Sequence, residues 1–152
     1  MGTIYYGAVD RVRPHHQQMG LSSSLLEMVE PYVREENIQL CPQKVLLTGE
    51  YTPFNLLMKK REGSWRLHGL IDFADCFLGD ATYDLLGPIM FMFFTEEGLT
   101  QQFLESYGYK GSKEQLMTYL LLHRFSDLPY YMSKSDSSQE AKTIEELEDV
   151  FF

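Results

Sequence analysis

The sequence predicts one α+β domain, mostly α-helical, with a short strand and a β-hairpin at its centre. Three observations predict it. Apolar residues recur at helical spacing in several stretches that open on Ser or Thr. Strand-like runs and alternation are confined to one region, Val45 to Asp72. The chain has 152 residues, 44% hydrophobic and 14% aromatic, which is enough apolar side chain to bury a sizeable core.

The elements follow in order. Met1 to Gly20 shows no clear period: Ile4-Tyr5-Tyr6 is apolar, while Asp10 to Gln18 is polar and contains Pro14. His15 and His16 read as solvated loop histidines, because adjacent positions face different ways and no Cys or acid stands at ligand spacing. Ser22 to Glu36 reads as a helix with Ser24 as N-cap and Glu27 as its capping-box partner. Leu25, Met28, Val29 and Tyr32 form its apolar face, and Pro31 predicts a kink or an early break. Leu40-Cys41-Pro42 leads into Val45-Leu46-Leu47, read as a buried strand.

Thr48 to Asn55 is punctuated by Gly49 and Pro53 and reads as a loop. Leu56 to Met58 is a short strand, Lys59 to Ser64 a charged turn, and Trp65 to Asp72 the half-buried return strand. His68 reads as structural or exposed. Asp84 opens the next helix and is placed to cap it, with Pro88 in its first turn. Leu85 to Phe94 is apolar on every side, so this helix is expected to be central. Leu99 to Tyr107 is a helix stopped by Gly108. Ser112 with Gln115 caps another, whose apolar face is Leu116, Tyr119, Leu120 and His123. Ser133 to Glu140 is a polar loop, and Thr143 with Glu146 caps a short acidic C-terminal helix.

Composition excludes several function classes. A net charge of -9 with no visible basic stripe argues against nucleic acid and against an anionic membrane surface. The longest apolar run, Leu85 to Phe94, is about half of a bilayer span. Met1 to Gly20 lacks the apolar core of a secretory signal. Two cysteines, Cys41 and Cys76, are too few for a disulfide framework; both read as small buried apolar residues in a reducing, cytoplasmic setting.

Chemistry concentrates between Val45 and Pro88. Glu50 stands five residues before Asn55; the hairpin follows; then Ile71-Asp72 closes an apolar run and Gly79-Asp80 leads to Tyr83-Asp84-Leu85. A carboxylate, an amide and a second carboxylate in this order form the proton-acceptor and metal-ligand layout of phosphoryl transfer.

These residues resemble the aminoglycoside phosphotransferase and choline-kinase-like family, small-molecule kinases with the protein-kinase bilobal fold. The family's catalytic loop, His-Gly-Asp-x-x-x-x-Asn, stands here as Thr48-Gly49-Glu50-Tyr51-Thr52-Pro53-Phe54-Asn55. Its second motif stands as Ile71-Asp72-Phe73-Ala74-Asp75, Gly79-Asp80 and Tyr83-Asp84-Leu85. The resemblance implies that Glu50 takes the place of the catalytic Asp that accepts the hydroxyl proton. It implies that Asn55 and Asp72 hold Mg²⁺ on the phosphates of ATP, and that Asp84 braces the catalytic loop. Asp75 and Asp80 are weaker candidates, expected to face solvent. Thr48 departs from the family's loop-supporting histidine, and Glu50 is one methylene longer than Asp.

No G-x-G-x-x-G and no Val-Ala-Ile-Lys-like strand occurs in the sequence. The resemblance therefore implies the C-terminal large lobe, with the small lobe absent. In that reading residues 1–152 are a single domain: a leading segment and helix (1–44), a catalytic-loop and metal-site core (45–88) and a helical subdomain (89–152). The expected partners are a small-molecule hydroxyl acceptor and an N-terminal lobe or partner chain. Three functions stay open at this point: an ATP-dependent phosphotransferase lobe, a pseudokinase-like lobe that binds without catalysis, and a structural remnant.

Overall fold

The computed structural model describes residues 3–35, 44–96, 98–134 and 141–152. Among the described residues, seven helices and four short strands run in the order α1 (Thr3–Gln18), α2 (Ser23–Glu35), β1 (Val45–Leu47), β2 (Leu56–Arg61), β3 (Ser64–Leu70), β4 (Phe77–Gly79), α3 (Thr82–Pro88), α4 (Leu99–Tyr107), α5 (Lys113–Leu122), α6 (Leu128–Met132) and α7 (Ile144–Phe151). This is the mostly helical α+β class that the sequence predicts. The chain divides into two compact units, Met1–Gln39 with Phe94–Phe152, and Leu40–Phe93. No described helix is long and apolar enough to cross a membrane.

The first unit is a helical bundle built on α1, α2, α5 and α7. Leu25, Val29, Met117, Leu120, Leu128 and Leu147 are essentially inaccessible and form its core. Local caps define the helix starts. Ser112 Oγ accepts from Gln115 N at 3.2 Å. Thr143 and Glu146 form a reciprocal capping box. Gly108, at φ 79°, ends α4 because an L side chain is disfavoured there. The short α6, capped by Asp127 through Tyr130 N, has no counterpart in the sequence prediction.

Several expectations are corrected. Residues 3–18 are helical despite Pro14. His16 is not solvated; it is fully buried, and its Nε2–H donates to Leu121 O at 2.9 Å. His15 donates to Ser126 O at 2.8 Å. The two imidazoles satisfy carbonyls in the last turn of α5 and just beyond it, partners more than a hundred residues distant in sequence. The first cap of α2 is Ser22, whose Oγ accepts from Leu25 N at 3.4 Å, rather than Ser24. The helix continues through Pro31 to Glu35, and it buries Leu26 and Val33 while Met28 is exposed. The expectations for Leu40, Cys41 and residues 135–140 fall outside the described residues.

The second unit holds two small antiparallel sheets. In one, β1 pairs with β4 in the register Val45↔Gly79, Leu46↔Leu78, Leu47↔Phe77. The strand β4 was not read from the sequence, and of β1 only Leu47 is buried. In the other, β2 and β3 form a hairpin whose turn is two residues, Glu62 and Gly63, at φ 50° and 82°. Two left-handed turn residues match the twist of the strands, so Lys59 to Arg61 extend β2 instead of forming a loop. Leu57 pairs with Gly69 and Met58 with Leu67, which leaves His68 as the extra residue of a bulge. The hairpin is exposed along most of both strands, not half-buried.

After β4, α3 begins at Thr82 and passes into a π-helical turn over Ile89–Phe93. Pro88 lies at the end of α3, not in its first turn. It has no N–H to give the preceding turn, and the wider turn follows it directly. Leu85 to Met90 are buried, as the all-apolar run predicts, but the burial stops there: Phe91 is exposed and Met92 to Phe94 are half-buried.

Candidate functional site

The site is built in the second unit, from the loop between β1 and β2. Gly49 sits at φ +73°, and a Cβ there would meet Asp75 O at 2.5 Å. Glycine is therefore required twice, for its dihedral and for the close approach of residue 75. The Glu50 carbonyl accepts Thr52 N at 2.8 Å and the Asn55 side-chain Nδ2 at 3.0 Å. Pro53 to Asn55 make one 3₁₀ turn into β2. That turn buries Asn55, and the bond from Nδ2 to the Glu50 carbonyl fixes its side chain.

Asp72 follows β3 after one residue, Ile71. Ile71 N donates to Asn55 O at 3.0 Å, so Asn55 and Asp72 stand at the same end of the hairpin. Asp72 is at φ 63°, an unusual conformation for a residue with a side chain. Its Oδ1 accepts Ala74 N at 3.3 Å, which steadies the turn locally. Cys76 N then bonds Phe73 O at 3.2 Å, and the chain re-enters beside Leu47 as β4.

Asp84, in the first turn of α3, does not cap its own helix. Its carboxylate accepts Thr48 N at 2.7 Å and Gly49 N at 3.2 Å. These are charge-assisted bonds to backbone N–H groups that would otherwise be orphaned at the end of β1. One turn later Gly87 lies against the carbonyl of Tyr51, and a Cβ at 87 would overlap it. The loop is thus clamped by α3 at two places, by the turn at residues 73–76, and by the hairpin end.

The remaining acids separate. Asp75 is exposed. Asp80 is buried, contrary to expectation, and its Oδ1 accepts Thr82 N at 2.8 Å at the start of α3. Cys76 is an exposed free thiol rather than a buried one. Thr48 is buried, and its Oγ1 has no hydrogen-bond partner among the described residues. The contact of Gly87 with Tyr51 was not read from the sequence; a lone glycine inside an otherwise bulky apolar helix run was its signal.

Chemically, the loop offers a half-buried carboxylate (Glu50), and the hairpin end offers an amide oxygen and a carboxylate (Asn55, Asp72). No group of three His, Cys, Asp or Glu placed to hold a metal occurs among the described residues. A protein cage for a cation is therefore not what this arrangement offers. Two hard oxygen donors suit a cation that arrives on phosphate oxygens, which is how Mg²⁺ is usually held.

A model of the phosphotransferase enzyme family (APH) matches residues 11–118. No curated protein and no solved structure gives a match.

Proposed function

The chain belongs to the phosphotransferase enzyme family, and we propose that it is a catalytic lobe for ATP- and Mg²⁺-dependent phosphorylation of a small-molecule hydroxyl. The observation that carries the proposal is the junction of Asn55 and Asp72 at one hairpin end, joined by the bond from Ile71 N to Asn55 O. The positive φ of Asp72 supports it, because backbone strain of this kind collects at functional sites.

In this reading Asn55 Oδ1 and the Asp72 carboxylate hold the ion. When bound, Mg²⁺ neutralises charge on the transferring phosphoryl group. The Glu50 carboxylate accepts the proton of the acceptor hydroxyl. Asp84 sets the position of Glu50 through the backbone of residues 48 and 49, and Gly87 sets it through Tyr51. Misplacement on the order of 1 Å can cost about a hundredfold in rate, so four separate restraints on one short loop fit a catalytic role. A second lobe, on another segment or chain, supplies the glycine loop and lysine that hold nucleotide phosphates. A reducing, cytoplasmic setting suits the exposed thiol of Cys76.

A second reading, a pseudokinase-like lobe that binds without transfer, draws on the same loop. Glu50 stands where the family has Asp, and the Thr48 hydroxyl is buried without a partner among the described residues where the family has histidine. Turnover of the chain complemented by a nucleotide-holding lobe separates the two. Loss of turnover in Glu50→Gln with Mg-ATP binding retained supports the enzyme; absence of turnover in the complemented wild type supports the second reading.

A further inference from the structure

The β2–β3 hairpin carries a charge pattern that the proposed phosphotransfer does not use. Residues 59–66 include Lys59, Lys60, Arg61 and Arg66 against the single acid Glu62, in a chain whose net charge is -9. Residues directly opposite in an antiparallel pair share a face. The register sets Lys59 opposite Arg66 and Arg61 opposite Ser64 on one face. Lys60 with Trp65 and Met58 with Leu67 fall on the other. None of the four cations forms an ion pair or side-chain hydrogen bond among the described residues; the ion pairs there belong to Arg34 and Lys113.

The arrangement costs stability. Like charges directly opposite across strands are destabilising, and a two-stranded hairpin exposed along its length is marginal by itself. Lys59, Arg61, Ser64, Arg66 and His68, together with the acid Glu62, line a concavity of about 410 Å³. That volume lies in the range of small-molecule sites. Three paired positions, Leu56 to Met58, lie between Asn55 and Lys59, which places the nearest of these lysines about 13 Å along the strand from Asn55. The cations Lys59, Arg61 and Arg66 therefore lie farther along the hairpin than the two residues proposed to hold the ion.

We propose that this concave hairpin face is a binding site for a soluble, multiply charged phosphate ligand, held by Lys59, Arg61 and Arg66 with Ser64 and His68. The choice of a small ligand over a polyanionic surface follows from electrostatic range. Exposed charges act over roughly 8 Å at physiological salt. A small anion inside the concavity meets the local cations, whereas a membrane or a nucleic acid also meets the acidic remainder of the chain. Guanidinium groups bind phosphate through paired N–H donors, and Arg61 and Arg66 each bring such a fork. The proposal does not rest on the phosphotransferase reading.

The test is calorimetric titration of the chain with inorganic tripolyphosphate at low and at high salt. The expected result is binding that weakens with salt. Lys59→Gln with Arg66→Gln weakens it by about tenfold or more, while Lys113→Gln, far from the hairpin in sequence, leaves it unchanged. The double variant also melts no lower than the wild type, because the opposed like charges are gone; Arg66→Gln alone weakens binding in the same direction. Absence of binding, binding equal in the double variant, an equal loss in Lys113→Gln, or capture by anionic vesicles without tripolyphosphate binding would each overturn the proposal.

Discussion

Asp84 accepts the backbone N–H of Thr48 at 2.7 Å across 36 residues of sequence. A second bond, from Gly49 N at 3.2 Å, makes the contact two-pronged. The residue that looks from sequence like a helix cap is spent on the loop that carries Glu50. Hydrogen bonds to charged groups contribute about 1.5–3 kcal/mol each, and removing an acceptor leaves its donors unsatisfied. Asp84→Ala is therefore expected to destabilise the chain by about 2 kcal/mol. Asp84→Asn should recover only part of this, because its NH₂ cannot accept. Denaturant unfolding of the two variants measures it; an unchanged midpoint in Asp84→Ala would mean the loop is not held from α3.

Stability should depend on pH through two buried histidines. His16 is lowered to about 4, first by burial, with the bond to Leu121 O opposing. His123 is lowered to about 3, again first by burial, with Arg124 adding to it. Its Nδ1 accepts Phe125 N, so the neutral ring is the one the fold uses. The ordinary histidine value is 6.5. Above it both states are neutral and nothing changes. Below it the unfolded chain takes up protons that the folded chain refuses. Stability is therefore lost as pH falls from about 6.5 toward 4 and 3, by up to about 1.4 kcal/mol per pH unit per histidine. Unfolding curves over this range should show the slope, and a His16→Gln, His123→Gln variant should flatten it. A wild type with no acid slope would contradict the assignment.

The β1–β4 ribbon should be sticky. Leu46 and Leu78 are paired across it at 62% and 61% exposure, and Val45, Ile71 and Phe73 are exposed nearby in sequence. Apolar side chains grouped in this way mark a surface that another element covers. The proposed function calls for a second lobe, and this ribbon is the surface we propose for it. Leu46→Lys with Leu78→Lys is expected to change stability by less than about 0.5 kcal/mol, to reduce binding of a hydrophobic dye, and to abolish complementation by that lobe. Full complementation by the variant would place the lobe elsewhere.

What could be read from sequence was local chemistry. Ser112, Thr143 and Gly108 act within one turn of their own position, and each ends or starts its helix where expected. The loop before β2, the hairpin and the helix that begins near Asp84 were legible for the same reason: each is punctuated within a short span. What failed needed distant partners. His16 looked solvated because its partner is Leu121 O, and Asp80 looked exposed because nothing in sequence reveals its burial. The strand β4 has three residues and exists only through its pairing with β1. The hairpin turn was misjudged because Glu62-Gly63 takes the left-handed dihedrals usually signalled by Asn-Gly. The strain at Asp72 and the fit of Gly87 to Tyr51 are properties of the assembled loop and leave little trace in residue type.

The central claim is that Asn55 and Asp72 hold the metal while Glu50 handles the proton. Calorimetric titration with ATP, in the presence and absence of Mg²⁺, tests it most directly, using the wild type, Asp72→Ala and Glu50→Gln. The chain lacks the glycine loop and lysine motifs, so binding should be weak and should depend on Mg²⁺. Asp72→Ala should remove the Mg²⁺-dependent part, and Glu50→Gln should keep it within about threefold. Mg²⁺-dependent binding that survives unchanged in Asp72→Ala would contradict the account.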